Sequence, residues 1–97
     1  MEQRKATIHL FLKSKWYDMI ASGIKTEEYR EIKPYWCKRI LCLKQNDLVC
    51  FHRGYTNVTV TFMIVDLDVG FGKPEWGAPT DKKVFILKLK KAEMREY

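Results

Sequence analysis

The sequence predicts an α+β fold: a small mixed β-barrel of about five strands with two short helices. Three observations carry that expectation. Apolar residues alternate with a period of two in several separate stretches, the signature of half-buried strands. Two other stretches space them three and four apart, as helices do. The 97 residues leave room for only one core, because dividing them would leave neither half enough interior. Residues 1–97 therefore read as a single domain, with a tail from about residue 91 expected to fray.

In "ATIHLFLK", Ile8, Leu10 and Leu12 point one way and Thr7, His9 and Phe11 the other, giving a first strand. Ser14 is an expected N-cap for a helix over "KWYDMIAS", whose Trp16, Met19 and Ile20 share a face. Gly23 ends it, since glycine takes the left-handed cap conformation at little cost. From Lys25 the period returns to two, with Thr26, Glu28, Arg30 and Ile32 on one face and Glu27, Tyr29 and Glu31 on the other. Pro34 suits the first position of a second helix, "PYWCKRILC", expected to turn Cys37, Ile40 and Leu41 inward and Lys38 and Arg39 outward. "DLVCFHR", a turn at 54–57 and "VTVTFMIVDL" read as a hairpin. Residues 69–82 are rich in glycine and proline and read as a loop. "KVFILKLK" closes the chain with Phe85, Leu87 and Leu89 inward and Lys88 and Lys90 outward.

Eighteen Lys and Arg against twelve Asp and Glu give a formal charge of +6. Such a field concentrates anions, so RNA or a nucleotide-like ligand is the partner expected first and an acidic protein second. The three cysteines, Cys37, Cys42 and Cys50, cannot all pair within one chain. "MEQRKATIHLFLK" has a charged start but too short an apolar stretch for a secretory leader, and the longest apolar run, Phe62 to Val65, is far below a membrane span. A reducing cytoplasm is the expected home, with no membrane partner.

The chemistry concentrates in "GIKTEEYREIK", where Glu27 and Glu28 stand between Lys25 and Arg30. If Lys25 remains in the turn after Gly23, its long side chain reaches either face of the following strand. A lysine and a carboxylate in a cleft can work as a catalytic pair, with Glu28 activating water and Lys25 stabilising a developing anion. The same residues can instead orient Arg30, whose planar fork suits a phosphate or a base edge. Lys33, Lys38 and Arg39 extend the basic character nearby, and Tyr35 and Trp36 offer faces on which bases stack. Arg53 and Tyr55, at the hairpin tip, are candidates for an opposite rim, and Trp76 is a candidate cover or pin for its loop.

The pattern Gly23-x-Lys25-x-x-Glu28-x-Arg30, between a first helix and a strand, resembles the signature of ASCH domains, members of the PUA-like superfamily of small β-barrels. The later "EWG" and closing "FILKL" look like the end of the same domain. The resemblance implies a cleft beside the first helix, lined by the charged residues of the motif, that binds RNA or modified nucleotides. Some such domains are hydrolases, and one branch, amidohydrolases of N4-acetylcytidine, uses a Lys-Thr-Glu set. Lys25 matches that lysine by its place after the glycine. The threonine's position is held by Glu28, with Thr26 nearby, and no residue matches the distant glutamate.

Other chemistries find no pattern. Gly70-Phe71-Gly72 lacks the spacing of a phosphate loop. His9 and His52 read as solitary, and Cys37-x4-Cys42 has no partner pair, so neither a metal nor a cofactor is expected. No serine or cysteine sits in a recognisable triad pattern, and nothing selects Asp66, Asp68 or Glu75 as an additional acid.

Overall fold

Pairing register explains how the alternating segments come together. The computed structural model describes residues 6–92. β1 (Thr7–Leu12) runs parallel to β3 (Leu48–Arg53), which is antiparallel to β4 (Thr59–Gly70). β4 is antiparallel to β5 (Val84–Lys91), and β5 to β2 (Glu27–Arg30). The order β1-β3-β4-β5-β2 is one mixed sheet, curled into a half-barrel and accompanied by two short helices, α1 (Ser14–Ala21) and α2 (Pro34–Ile40). A register shift in β4 between Ile64 and Asp66 is the kind of irregularity that sharpens strand bending. β1 and β2 form the two edges. Arg30 crosses between them, its Nη2 donating to the Phe11 carbonyl at 3.3 Å.

The concave face holds the core. Leu10, Leu12, Val49, Phe51, Phe62, Ile64, Leu87 and Leu89 come from the strands, Tyr17 and Ile20 from α1, and Ile40 from α2. Each such side chain contributes about 1.5–3 kcal/mol by leaving water. Gly23 has φ +88 and ends the first helical turn region as expected. Beyond the core, β5 buries Val84, Phe85, Ile86 and Leu87 in succession. Ile86 is the register partner of Tyr29, and the loop after β4 lies over that second face. There Gly72 approaches so closely that a Cβ would stand 2.5 Å from the Tyr29 ring.

Several boundaries differ from the sequence reading. Ser14 is not the N-cap: Lys13 holds that place, its carbonyl accepting from Tyr17 N at 3.0 Å, with no side-chain cap. β1 ends at Leu12, so the corner has one residue and the helix must begin at Ser14. Tyr17, not assigned to the apolar face, is buried with Ile20. Leu41 points out, 70% exposed, because α2 stops at Ile40 and breaks the period; Leu43 takes the interior position. β2 spans only Glu27–Arg30, shorter than the alternation suggested. Val69 and Gly70 belong to β4, paired with Phe85 and Val84, so the loop starts later than residue 69. Lys91 is paired with Phe62 and is not frayed; residues 93–97 of the expected tail lie outside the described residues. Among the described residues no helix is long and apolar enough to cross a membrane.

Candidate functional site

The edge strand β2 delivers two charges to one face by its period of two. Glu28 and Arg30 are register partners of Leu87 and Phe85, which are core residues, so both side chains enter the half-barrel. Lys25 lies before the strand, in the turn that Gly23 opens, and its Nζ meets groups from both faces of β2. It is 3.2 Å from Glu28 Oε1 on one side and 4.7 Å from the Tyr29 ring centroid on the other. The ammonium also donates to the Glu27 carbonyl at 2.6 Å and to the Trp76 carbonyl at 3.0 Å. Three donors thus meet three oxygens, which is what permits a lysine to be only 1% exposed.

Glu28 divides its two oxygens between two cations. Oε1 faces Lys25, while Oε2 accepts from Arg30 Nε at 3.1 Å and Nη2 at 2.8 Å. The predicted convergence of Lys25, Glu28 and Arg30 is therefore present, with a formal charge of +1. Burial lowers the Lys25 pKa below its ordinary value, against the opposing pull of the Glu28 charge. Next door, Tyr29 donates to Glu27 Oε1 at 2.7 Å and accepts from Lys73 N at 3.0 Å; its burial raises the phenol pKa.

Arg30 is the most open of the three, its side chain 17% exposed against 8% for Glu28 and 1% for Lys25. It lines a cleft of about 360 Å³ with Tyr29, Glu31, Ala78, Pro79 and Lys82, where Lys82 and Glu31 pair at 3.7 Å, and Lys25 and Glu28 are not among the walls. Its guanidinium carbon is 4.8 Å from the Trp36 ring centroid, so α2 covers the arginine with an indole. Among the described residues Nη1 is the guanidinium nitrogen without a hydrogen-bond partner.

The remaining candidates divide. Tyr35, Trp36, Lys38 and Arg39 line a second cleft, of about 380 Å³, between α2 and β1. Arg39 lies 3.6 Å over the exposed Tyr35 ring and donates to its carbonyl at 3.0 Å. Lys33 is exposed at the N-cap of α2. Arg53 is held by Asp18 of α1, at 3.0 and 3.1 Å, which ties the helix to β3. Tyr55 is 97% exposed and stands 5.5 Å from Phe11 on the outer face, away from the core.

Sequence reasoning missed several partners. The Trp76 carbonyl, not its indole, closes the shell around Lys25; a backbone acceptor leaves no signal in composition. Asp18 as the partner of Arg53 also depends on helix placement. The reading of His9 and His52 as solitary is overturned: His9 Nδ1 and His52 Nε2 are 3.0 Å apart on the outer face of β1 and β3. Period two puts Cys50 and His52 on one side of β3, which was legible, but only the parallel register brings His9 across. No protein-family model and no curated protein matches the chain.

Proposed function

We propose that the chain is an ASCH/PUA-like module, at home in the cytoplasm, that binds RNA or a nucleotide-like ligand through Arg30. The observation that carries this reading is the position of Arg30: the residue lines a cleft, Glu28 holds its Nε and Nη2, and its guanidinium carbon lies 4.8 Å from the Trp36 ring centroid. A guanidinium held this way loses little freedom on meeting a phosphate or a base edge. Lys25 serves as the counter-charge behind Glu28, since its own donors are already occupied. Lys38 and Arg39 add cations in the neighbouring cleft, and the exposed Tyr35 ring adds a stacking surface worth roughly 1–3 kcal/mol per base.

Titration of single-stranded RNA at several salt concentrations tests the reading. Three neutralised phosphates give a log-log slope of roughly −2, and Arg30→Ala is expected to weaken binding by roughly tenfold or more. Absence of binding at low salt to RNA, nucleotides and nucleosides alike refutes it.

One observation favours hydrolysis as a second reading. A buried lysine of lowered pKa beside a carboxylate is a pairing that enzymes use. In that case Glu28 is the base and Lys25 the electrostatic catalyst, acting on RNA or a modified nucleoside such as an acylated cytidine, and the cluster must open to admit it, because neither residue lines the Arg30 cleft. Glu28→Gln then abolishes turnover while retaining most affinity; intact substrates after long incubation with wild-type protein exclude the reading.

A further inference from the structure

On the convex face of the sheet, away from the β2 cluster, three metal-binding side chains point at a common centre. Cys50 and His52 are two residues apart on β3 and share its outer face. The parallel register sets His9 opposite Cys50 and Phe11 opposite His52. As a result His52 Nε2 faces two groups at once, His9 Nδ1 at 3.0 Å and Cys50 Sγ at 3.8 Å. One ligand atom from each residue lies within 4.8 Å of the other two.

We propose that His9, Cys50 and His52 form a transition-metal site, with Zn2+ as its ordinary occupant. A tetrahedral zinc with its usual bond lengths separates neighbouring nitrogen and sulfur ligands by about 3.3–3.6 Å. The His9–His52 and Cys50–His52 spacings fall on either side of that range and the third pair lies within 4.8 Å, so side-chain rotation is what must bring the three ligand atoms onto one ion. Two imidazoles and one thiolate are a borderline-soft set that suits Zn2+ better than Mg2+ or Ca2+. Cys50 gives up its thiol proton to solvent on binding. Whichever imidazole donates in the His9–His52 contact carries its proton on its other ring nitrogen instead, so both ligating nitrogens present a lone pair to the metal and both rings stay neutral. Three protein ligands leave a fourth position open for water or an anion, as in zinc sites that act on substrates.

The framework is rigid where it needs to be. All three residues sit on paired strands, and Phe11 stacks on the His52 ring at 4.5 Å, fixing its plane. Cys37 and Cys42 are not part of this set. His9 also lines the cleft between α2 and β1 that carries Tyr35 and Arg39.

The test is titration of Co2+ into the full chain kept reduced, because cobalt bound to a thiolate shows sulfur-to-metal charge transfer in the near ultraviolet. Saturation at one equivalent, with visible bands typical of four-coordinate cobalt and bleaching by Zn2+, is the expected result. Cys50→Ser removes the charge-transfer band, and His9→Ala and His52→Ala each weaken Co2+ binding by roughly tenfold or more. Should His52→Ala lose the fold along with its stack on Phe11, His52→Phe keeps an aromatic ring and removes both nitrogens. Replacing Cys37 and Cys42 by serine leaves the spectrum unchanged. A missing charge-transfer band, or one that survives Cys50→Ser or is indifferent to His9→Ala, overturns the assignment. None of these residues belongs to the β2 cluster, so failure here leaves RNA binding through Arg30 untouched.

Discussion

Two arginines grip carboxylates with Nε and Nη2, and the pairs differ in everything but chemistry. Arg53 meets Asp18 fork to fork, each nitrogen on its own oxygen, in a position open to water. Arg30 places both nitrogens on a single oxygen of Glu28, which is the poorer geometry taken alone. Yet the arrangement frees Oε1 for Lys25, and the whole set lies inside the half-barrel. Ideal geometry does not decide what an ion pair contributes. Solvent screening makes the first pair weak, whereas leaving any one charge of the second unmatched exposes the protein to the full cost of a buried ion.

The sharpest way to break this comparison is Glu28→Ala, which leaves two cations facing each other across an apolar gap. Removing one partner of a buried pair costs about 3–5 kcal/mol, read as the loss of unfolding free energy in denaturant titration. A loss near zero would mean that water already reaches the cluster and that the two pairs are alike.

Lys25→Met is expected to cost less, about 1–3 kcal/mol, chiefly through the stranded carbonyls of Glu27 and Trp76. It also has a pH signature. Burial lowers the Lys25 pKa from 10.5, so between the folded value and 10.5 the unfolded chain binds the proton more tightly. The native state is penalised below that window and relieved as pH rises through it, so this contribution makes stability climb with pH. The raised Tyr29 pKa works oppositely, since the unfolded phenol ionises first from about pH 10 upward. Tyr29 is present in both proteins, so the difference between wild type and Lys25→Met isolates the lysine. Parallel stability curves for the two up to pH 10.5 would contradict the direction given.

At the small end stands Asp18→Ala. It removes the partner of Arg53 and is expected to move the melting temperature scarcely beyond measurement scatter, and less in high salt. A drop comparable with that of Glu28→Ala would show that this tie between α1 and β3 bears far more than its exposure suggests. RNA affinity should hold or rise slightly, because the substitution removes a negative charge and frees Arg53.

Much of this was legible before any coordinates. Alternation located β1, β2 and β5, and the turn between β3 and β4 located their hairpin. The glycine after α1 marked a real left-handed turn, and the placing of Glu28 and Arg30 on one face followed from counting by two. Errors fell where local rules compete. Leu41 fits a helical period, but the helix ends one residue earlier. Ser14 is a good cap residue placed one position too late for a corner made of Lys13 alone. For the site, the members of the charged set could be read and its depth could not. Whether Lys25 stands in water or beneath Trp76 depends on a loop fifty residues away in the chain.

What the sequence determined by itself was periodic and local: strand faces, helix stretches, the single core, and the charges carried on β2. Those properties follow from the geometry of one segment at a time. Tertiary structure alone decided which distant atoms share a place: the Trp76 carbonyl over Lys25, Asp18 against Arg53, and His9 beside His52. Register and loop path set these encounters, and they depend on how the entire chain minimises exposed apolar surface and unpaired polar groups at once.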